Sequence, residues 1–167
     1  MGRREEREQA FTTYVAERRP HLHRTAYLLC GGDGHRAEDV VQQALAKLYA
    51  AWPRVARAGS IDAYARRVLV NAHLDEVRRP WRRERPVADG LDRAAPAGPT
   101  VEETDALWTA LAALAPGQRR VVVLRHYLGL SVEETAADLG VSPGTVKSQT
   151  ADALARLRVA LADGATR

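Results

Sequence analysis

Residues 131–161, SVEETAADLGVSPGTVKSQTADALARLRVAL, place two helix starts on either side of one helix stop. Ser131 with Glu134 three residues on fits a capping box. Gly140 can take the left-handed conformation that ends a helix. Ser142 suits a second N-cap, and Pro143 the first helical position, where no N–H is needed. Helix, glycine turn and helix make a helix-turn-helix, whose second helix enters the DNA major groove.

That second helix divides at 3.6 residues per turn. Val146, Ala153, Leu157 and Leu161 share the side expected to pack on a core. Thr145, Ser148, Gln149, Asp152 and Arg156 share the polar side, where short or forked groups can reach base edges and phosphates. Amphipathic helices with a merely solvated polar face are common. Two caps, a glycine turn and this face together favour the DNA interpretation.

The rest of the chain reads as helix. At 46% hydrophobic and only 5% aromatic, it draws its apolar surface from Val, Leu and Ala. Residues 4 to 18 form an exposed charged helix with Phe11, Tyr14 and Val15 inward. Pro20 opens a second helix through Cys30, and Gly31-Gly32-Asp33-Gly34 makes a turn. A third helix runs from about His35 until Pro53 stops it. There Val41, Leu45, Leu48 and Trp52 face inward, Glu38 and Asp39 favour the helix dipole, and Gln42, Gln43 and Lys47 are left outward. Ser60 caps a helix to about Arg79 whose core side is Ile61, Ala65, Val68 and Ala72. Arg67, Asn71 and Arg78 line another face beside Leu74 and Asp75, a strip suited to phosphate and base contact. An arginine surface that only snorkels would look much the same.

Periodicity is lost over residues 81–104, where Pro86, Pro96 and Pro99 fall, and this predicts a flexible linker. Helices follow over Val101 to Leu114 and from Pro116 through Tyr127. The expected fold is all-α: two small helical domains, residues 1–80 and 105–167, on a tether.

Composition narrows the function. A formal net charge of +4 permits a polyanionic partner without requiring one. Cys30, the single cysteine, excludes an intrachain disulfide and is expected to be a buried thiol in its apolar helical stretch. His21, His23, His35, His73 and His126 are scattered and have no partners at metal-ligand spacing. No phosphate-cradling glycine loop or nucleophile elbow occurs. Glu133 and Glu134 are explained by solvation and capping. An enzyme is not expected, nor a metal or other cofactor. The charged N-terminus is no signal peptide, and no apolar run reaches membrane-spanning length, so a cytoplasmic protein without a membrane partner is expected. No further C-terminal domain is expected.

Three segments carry a family resemblance. HRAEDVVQQALAKLYAAW resembles the core-binding helix of bacterial sigma factors. IDAYARRVLVNAHLDEVRR resembles their promoter-melting and −10-reading helix, and SVEETAADLGVSPGTVKSQ their −35-reading helix-turn-helix. In that order and spacing they identify the chain as similar to the extracytoplasmic-function (group 4) sigma factors of the sigma-70 family. Its Ala and Arg usage resembles the sigma-E-type subfamily of high-GC bacteria.

The resemblance implies an alternative sigma factor that binds core RNA polymerase, at the clamp helices of the largest subunit and at the flap, and promoter DNA. An anti-sigma factor is an implied further partner. Glu38, Asp39, Val41 and Gln42 match the clamp-docking motif. Asn71, Asp75 and Arg78 match the segment that holds the −10 strand, with Arg67 on the same helix. The loop from Arg57 to Ser60 is placed like the one that captures a flipped-out base. Pro143, Thr145, Lys147 and Ser148 match the −35 recognition segment. The linker resembles the segment that threads the RNA exit path. Two positions depart from the family: Gln149 stands where arginine is common and Asp152 where a basic residue is usual. A carboxylate there repels phosphate but can accept from a cytosine amino group. Two alternatives stay open. One is a stand-alone helix-turn-helix regulator, which would need a dimer to read a palindrome. The other is an adaptor that binds polymerase without reading DNA.

Overall fold

The computed structural model describes residues 2–78 and 101–165, with side chains in the second stretch from residue 105 onward. Every regular element among them is helical. The linker expected at 81–104 lies outside the described residues, except that 101–104 already belong to a helix. Two compact units divide the chain: Met1–Tyr27 with Gly34–Pro86, and Leu28–Asp33 with Val87–Arg167.

The first unit holds α1 (Arg3–Leu29), α2 (Gly34–Val55) and α3 (Ile61–Arg78). Pro20 does not begin a new helix as expected; α1 runs through it. Proline deletes one backbone hydrogen bond and crowds the preceding turn. The burial of Leu22 and Ala26 beyond it outweighs that local cost. Pro53 likewise fails to stop α2, which continues to Val55, itself 3% exposed. Cys30 lies half-buried in the turn after α1 and not inside a helix.

Core formation follows the inward stripe of α2: Ala37, Val40, Val41, Ala44, Leu48 and Trp52 are buried, while Leu45 is half-buried. α3 buries more than one stripe, because Leu69 and Val70 join Ala65, Val68 and Ala72, and Ile61 is only half-buried. α1 attaches by its aromatic side chains. Phe11 meets Trp52 and Tyr49 edge-on at 5.3 and 5.0 Å, and Tyr14 lies 5.5 Å from Trp52. Each such pair adds roughly 0.5–1.5 kcal/mol beyond burial. Glu76, 2% exposed, pairs with Arg36 at 3.3 Å and so ties α3 to the start of α2. Removing one partner of a buried pair costs about 3–5 kcal/mol.

The second unit holds α4 (Val101–Ala113), α5 (Pro116–Val122), a π-helical turn (Val123–Tyr127), α6 (Val132–Leu139) and α7 (Pro143–Ala165). α4, α5 and α6 all pack on α7. Val121, Val123, Leu124, Val146 and Ala153 are at most 1% exposed and form its centre. The turn closes with Leu128 N–H donating to Val123 O and Leu130 N–H to Leu124 O, both at 3.0 Å. Gly129, at φ 70, makes that reversal possible without a β-carbon clash. Leu161, expected inward, is 39% exposed: the buried face of α7 ends at Leu157, and the helix beyond it has no neighbour to bury against.

Candidate nucleic-acid interface

Local chemistry fixes the helix-turn-helix. Ser131 Oγ accepts from Glu134 N–H at 3.0 Å while Glu134 Oε1 accepts from Ser131 N–H at 3.3 Å, a complete capping box. Gly140 ends α6 at φ 66 and ψ 37. Ser142 Oγ then accepts from Thr145 N–H at 3.1 Å and lies 2.9 Å from Thr145 Oγ1. Ser148 Oγ donates to Thr145 O at 3.3 Å. α7 therefore begins with a cluster of hydroxyls at its positive end, a surface suited to phosphate oxygens.

Around α7 the expected residues separate. Pro143, Ser148, Asp152 and Arg156 are exposed, as is Lys147 on the opposite flank; Thr145 is half-buried. Gln149 is also half-buried, with its amide beside Gly117 at the start of α5. It occupies the edge of the polar face nearest α5.

On α3, Arg67, Asn71, Asp75 and Arg78 are all exposed, as the strip requires. Asp75 Oδ2 meets Lys47 Nζ from α2 at 3.4 Å, so its carboxylate is partly neutralised. The α2–α3 connection carries Arg57 and Ser60, both exposed, and Gly59 at φ 84. A cleft of about 490 Å³ there is lined by Pro53, Arg54, Arg57 and Ala58. Arg54 was not singled out in the sequence. Its guanidinium lies 5.5 Å from the Tyr64 ring centroid and donates to Tyr64 Oη at 3.4 Å. The only sequence signal was an arginine three residues before Arg57.

The α2 residues expected to dock on polymerase differ in access. Gln42 is exposed, and Glu38 and Asp39 are half-buried. Val41 is 0% exposed, so it supports the helix from within and cannot touch a partner directly. Glu38 is engaged by Arg19 and by Gln42 Nε2 at 3.3 Å, and lies 3.7 Å from His23 Nε2. Neither Glu38 nor Asp39 falls in the first turn of α2, where a carboxylate gains most from the helix dipole.

A second cluster joins α1 to the start of α3. Tyr14 Oη donates to Asp62 Oδ1 at 2.7 Å, and Arg18 Nε lies 3.2 Å from the same oxygen. Burial, then the hydrogen bond to Asp62 and its charge, push the Tyr14 phenol far above its usual value, so it stays protonated and donating. Burial, then the Arg18 and Arg24 charges, lower His21 one turn further along α1.

Known proteins share this arrangement of segments. Residues 14–83 match the family Sigma-70 region 2, and residues 104–157 match Sigma-70, region 4. The chain is 41% identical over 154 residues to the RNA polymerase sigma-E factor of Streptomyces coelicolor, covering 89% of this chain and 84% of that one. It is 34% identical to the ECF RNA polymerase sigma factor SigM of Mycobacterium tuberculosis, over 89% of this chain and 75% of that one. Among solved structures, the sigma factor RpoE in complex with the anti-sigma factor NepR from Bartonella quintana matches with a TM-score of 0.70 at 25% identity, covering 92% and 97% of the two chains. CnrH in complex with the cytosolic domain of CnrY matches with a TM-score of 0.62, also at 25% identity, covering 93% of this chain and 90% of that one.

Proposed function

Since the chain belongs to the extracytoplasmic-function sigma factors of the sigma-70 family, we propose a division of labour among its helices in directing core RNA polymerase to promoters. The exposed part of α2, with Gln42, Asp39 and Glu38, docks on the clamp helices. The α3 strip of Arg67, Asn71, Asp75 and Arg78, with Arg57 and Ser60 of the preceding loop, holds the −10 strand. The start of α7, from Pro143 to Ser148 with Asp152 and Arg156 beyond, reads the −35 element. The domain division at residues 80 and 105 belongs to the same proposal, with each domain serving one promoter element. The role is non-catalytic, and its place is the cytoplasm, where the polymerase works. No described helix is long and apolar enough to cross a membrane.

The observation that carries this assignment is the hydroxyl-rich, capped start of α7 in one unit together with the exposed basic and amide strip of α3 in the other. Neither surface contributes to the core of its own unit. An anti-sigma partner of the kind seen with the two solved neighbours would act by covering such surfaces.

Run-off transcription with reconstituted holoenzyme on a randomised promoter library tests the assignment. Enriched templates should share two spaced elements. Arg57→Ala and Asn71→Ala should weaken selection at the −10 element alone, and Ser148→Ala at the −35 element alone. Tight sequence-specific binding of a palindrome by the free chain would instead mark a stand-alone regulator.

A further inference from the structure

The connection between α2 and α3 is held at both stems by one side chain of α1. On the entry side, the Tyr14 ring lies 5.5 Å from that of Trp52, which is 4% exposed in the core. On the exit side, Tyr14 Oη donates to Asp62 Oδ1 at 2.7 Å. Arg18, one turn along α1, approaches the same oxygen at 3.2 Å. Between Trp52 and Asp62 the chain turns through backbone bonds from Ala56 N–H to Trp52 O and from Ala58 N–H to Val55 O, then through the left-handed Gly59. Those bonds shape the entry of the loop. The position of its exit against the end of α2 is set from outside, and Tyr14 touches both.

We propose that Tyr14 is a positioning residue for promoter opening: its ring on Trp52 and its hydroxyl on Asp62 fix the stems of the Arg57–Ser60 loop in the spacing needed to hold a −10 base. The inference rests on the assignment of that loop to −10 contact. Its physical basis is preorganisation. A loop already held in its bound geometry loses less freedom when the strand arrives than one whose stems drift.

The test uses holoenzyme on a promoter carrying 2-aminopurine in the −10 non-template strand. Tyr14→Phe keeps the ring on Trp52 and deletes only the donor to Asp62. Its opening rate should fall roughly three- to tenfold, the size expected for one lost polar contact. Its preference among the four bases at the captured position should flatten, while holoenzyme formation is unchanged. Asp62→Asn, which keeps an acceptor for the hydroxyl, should retain the base preference, and Asp62→Leu should lose it. Arg57→Ala, measured in parallel, tests the loop itself. If Arg57→Ala slows opening and Tyr14→Phe does not, the loop assignment stands and the role of Tyr14 is overturned. If Arg57→Ala also changes nothing, the loop assignment fails and the inference with it. Slower opening in Tyr14→Phe with base preference intact would show a purely structural role and overturn the inference as well.

Discussion

The side-chain amide of Gln149 lies so close to Gly117 that a β-carbon on that glycine would come within 3.0 Å of Nε2. α5 and α7 thus meet at a residue that the polar face of α7 had suggested for DNA. Gln149→Ala should lower the stability of the protein by about 0.5–1 kcal/mol and leave −35 preference unchanged. Chemical denaturation and promoter competition measure the two effects separately. A changed base preference with unchanged stability would return Gln149 to the reading surface.

Asp152 is exposed on the DNA side of α7. Asp152→Arg should strengthen −35 binding and loosen its sequence preference. The log–log salt dependence should steepen by roughly one unit, as one phosphate contact is gained. Should Asp152 accept from a cytosine, the substitution would instead cost on the order of 1–3 kcal/mol at that base pair. Titration against salt on preferred and scrambled duplexes distinguishes these, and no change on either removes Asp152 from the interface.

Asp39→Ala combined with Gln42→Ala should weaken core polymerase binding on the order of tenfold, two polar contacts at roughly 0.5–1.5 kcal/mol each. The melting temperature should hold, because neither side chain is part of the buried stripe of α2. Unchanged affinity in a folded double variant would move the docking surface off α2.

Thr135 is 0% exposed, and its Oγ1 has no hydrogen-bond partner in the structure. Valine has nearly the same shape and helix propensity without the polar atom. Thr135→Val should therefore stabilise the protein by about 1 kcal/mol, the desolvation of one hydroxyl, seen as a higher melting temperature. A loss of stability would reveal a partner for the hydroxyl.

His21 has a folded pKa below its usual 6.5, through burial and then Arg18 and Arg24. The unfolded chain therefore takes up this proton more readily than the folded one. Stability should fall as pH drops through about 6.5, and level off below the folded pKa. His21→Gln should remove that part of the pH dependence. An unaltered profile from pH 8 to 5 would place it on other groups.

Legibility in the sequence followed distance along the chain. The capping box of Ser131 and Glu134, the left-handed Gly140 and the Ser142 cap all act within four residues, and each was readable beforehand. Pro20 and Pro53 misled because the local rule is real but small beside the burial of Leu22, Ala26 and Val55. Val41 illustrates a different limit. The resemblance placed it at a docking motif while its periodicity placed it inward, and the structure buries it. Tyr14 and Asp62 are 48 residues apart, and no periodicity within either helix could announce their hydrogen bond. Gln149 and Gly117 are hidden in the same way, since Gly117 offers no side chain to signal the contact.

The π-helical turn at Val123–Tyr127 bears on how this lineage can tolerate insertions and deletions. A single wide turn is what an α-helix accommodates when it gains one residue without unwinding. Losing one residue from this segment would let the backbone close into ordinary α-helix, with its hydrogen bonds still satisfied. Everything after it would then be rotated by about 100° about the helix axis. Leu130 would leave its buried site, and α6 would set out in another direction. Length variation in descendants of this gene should therefore be purged from these five residues even when it preserves helicity.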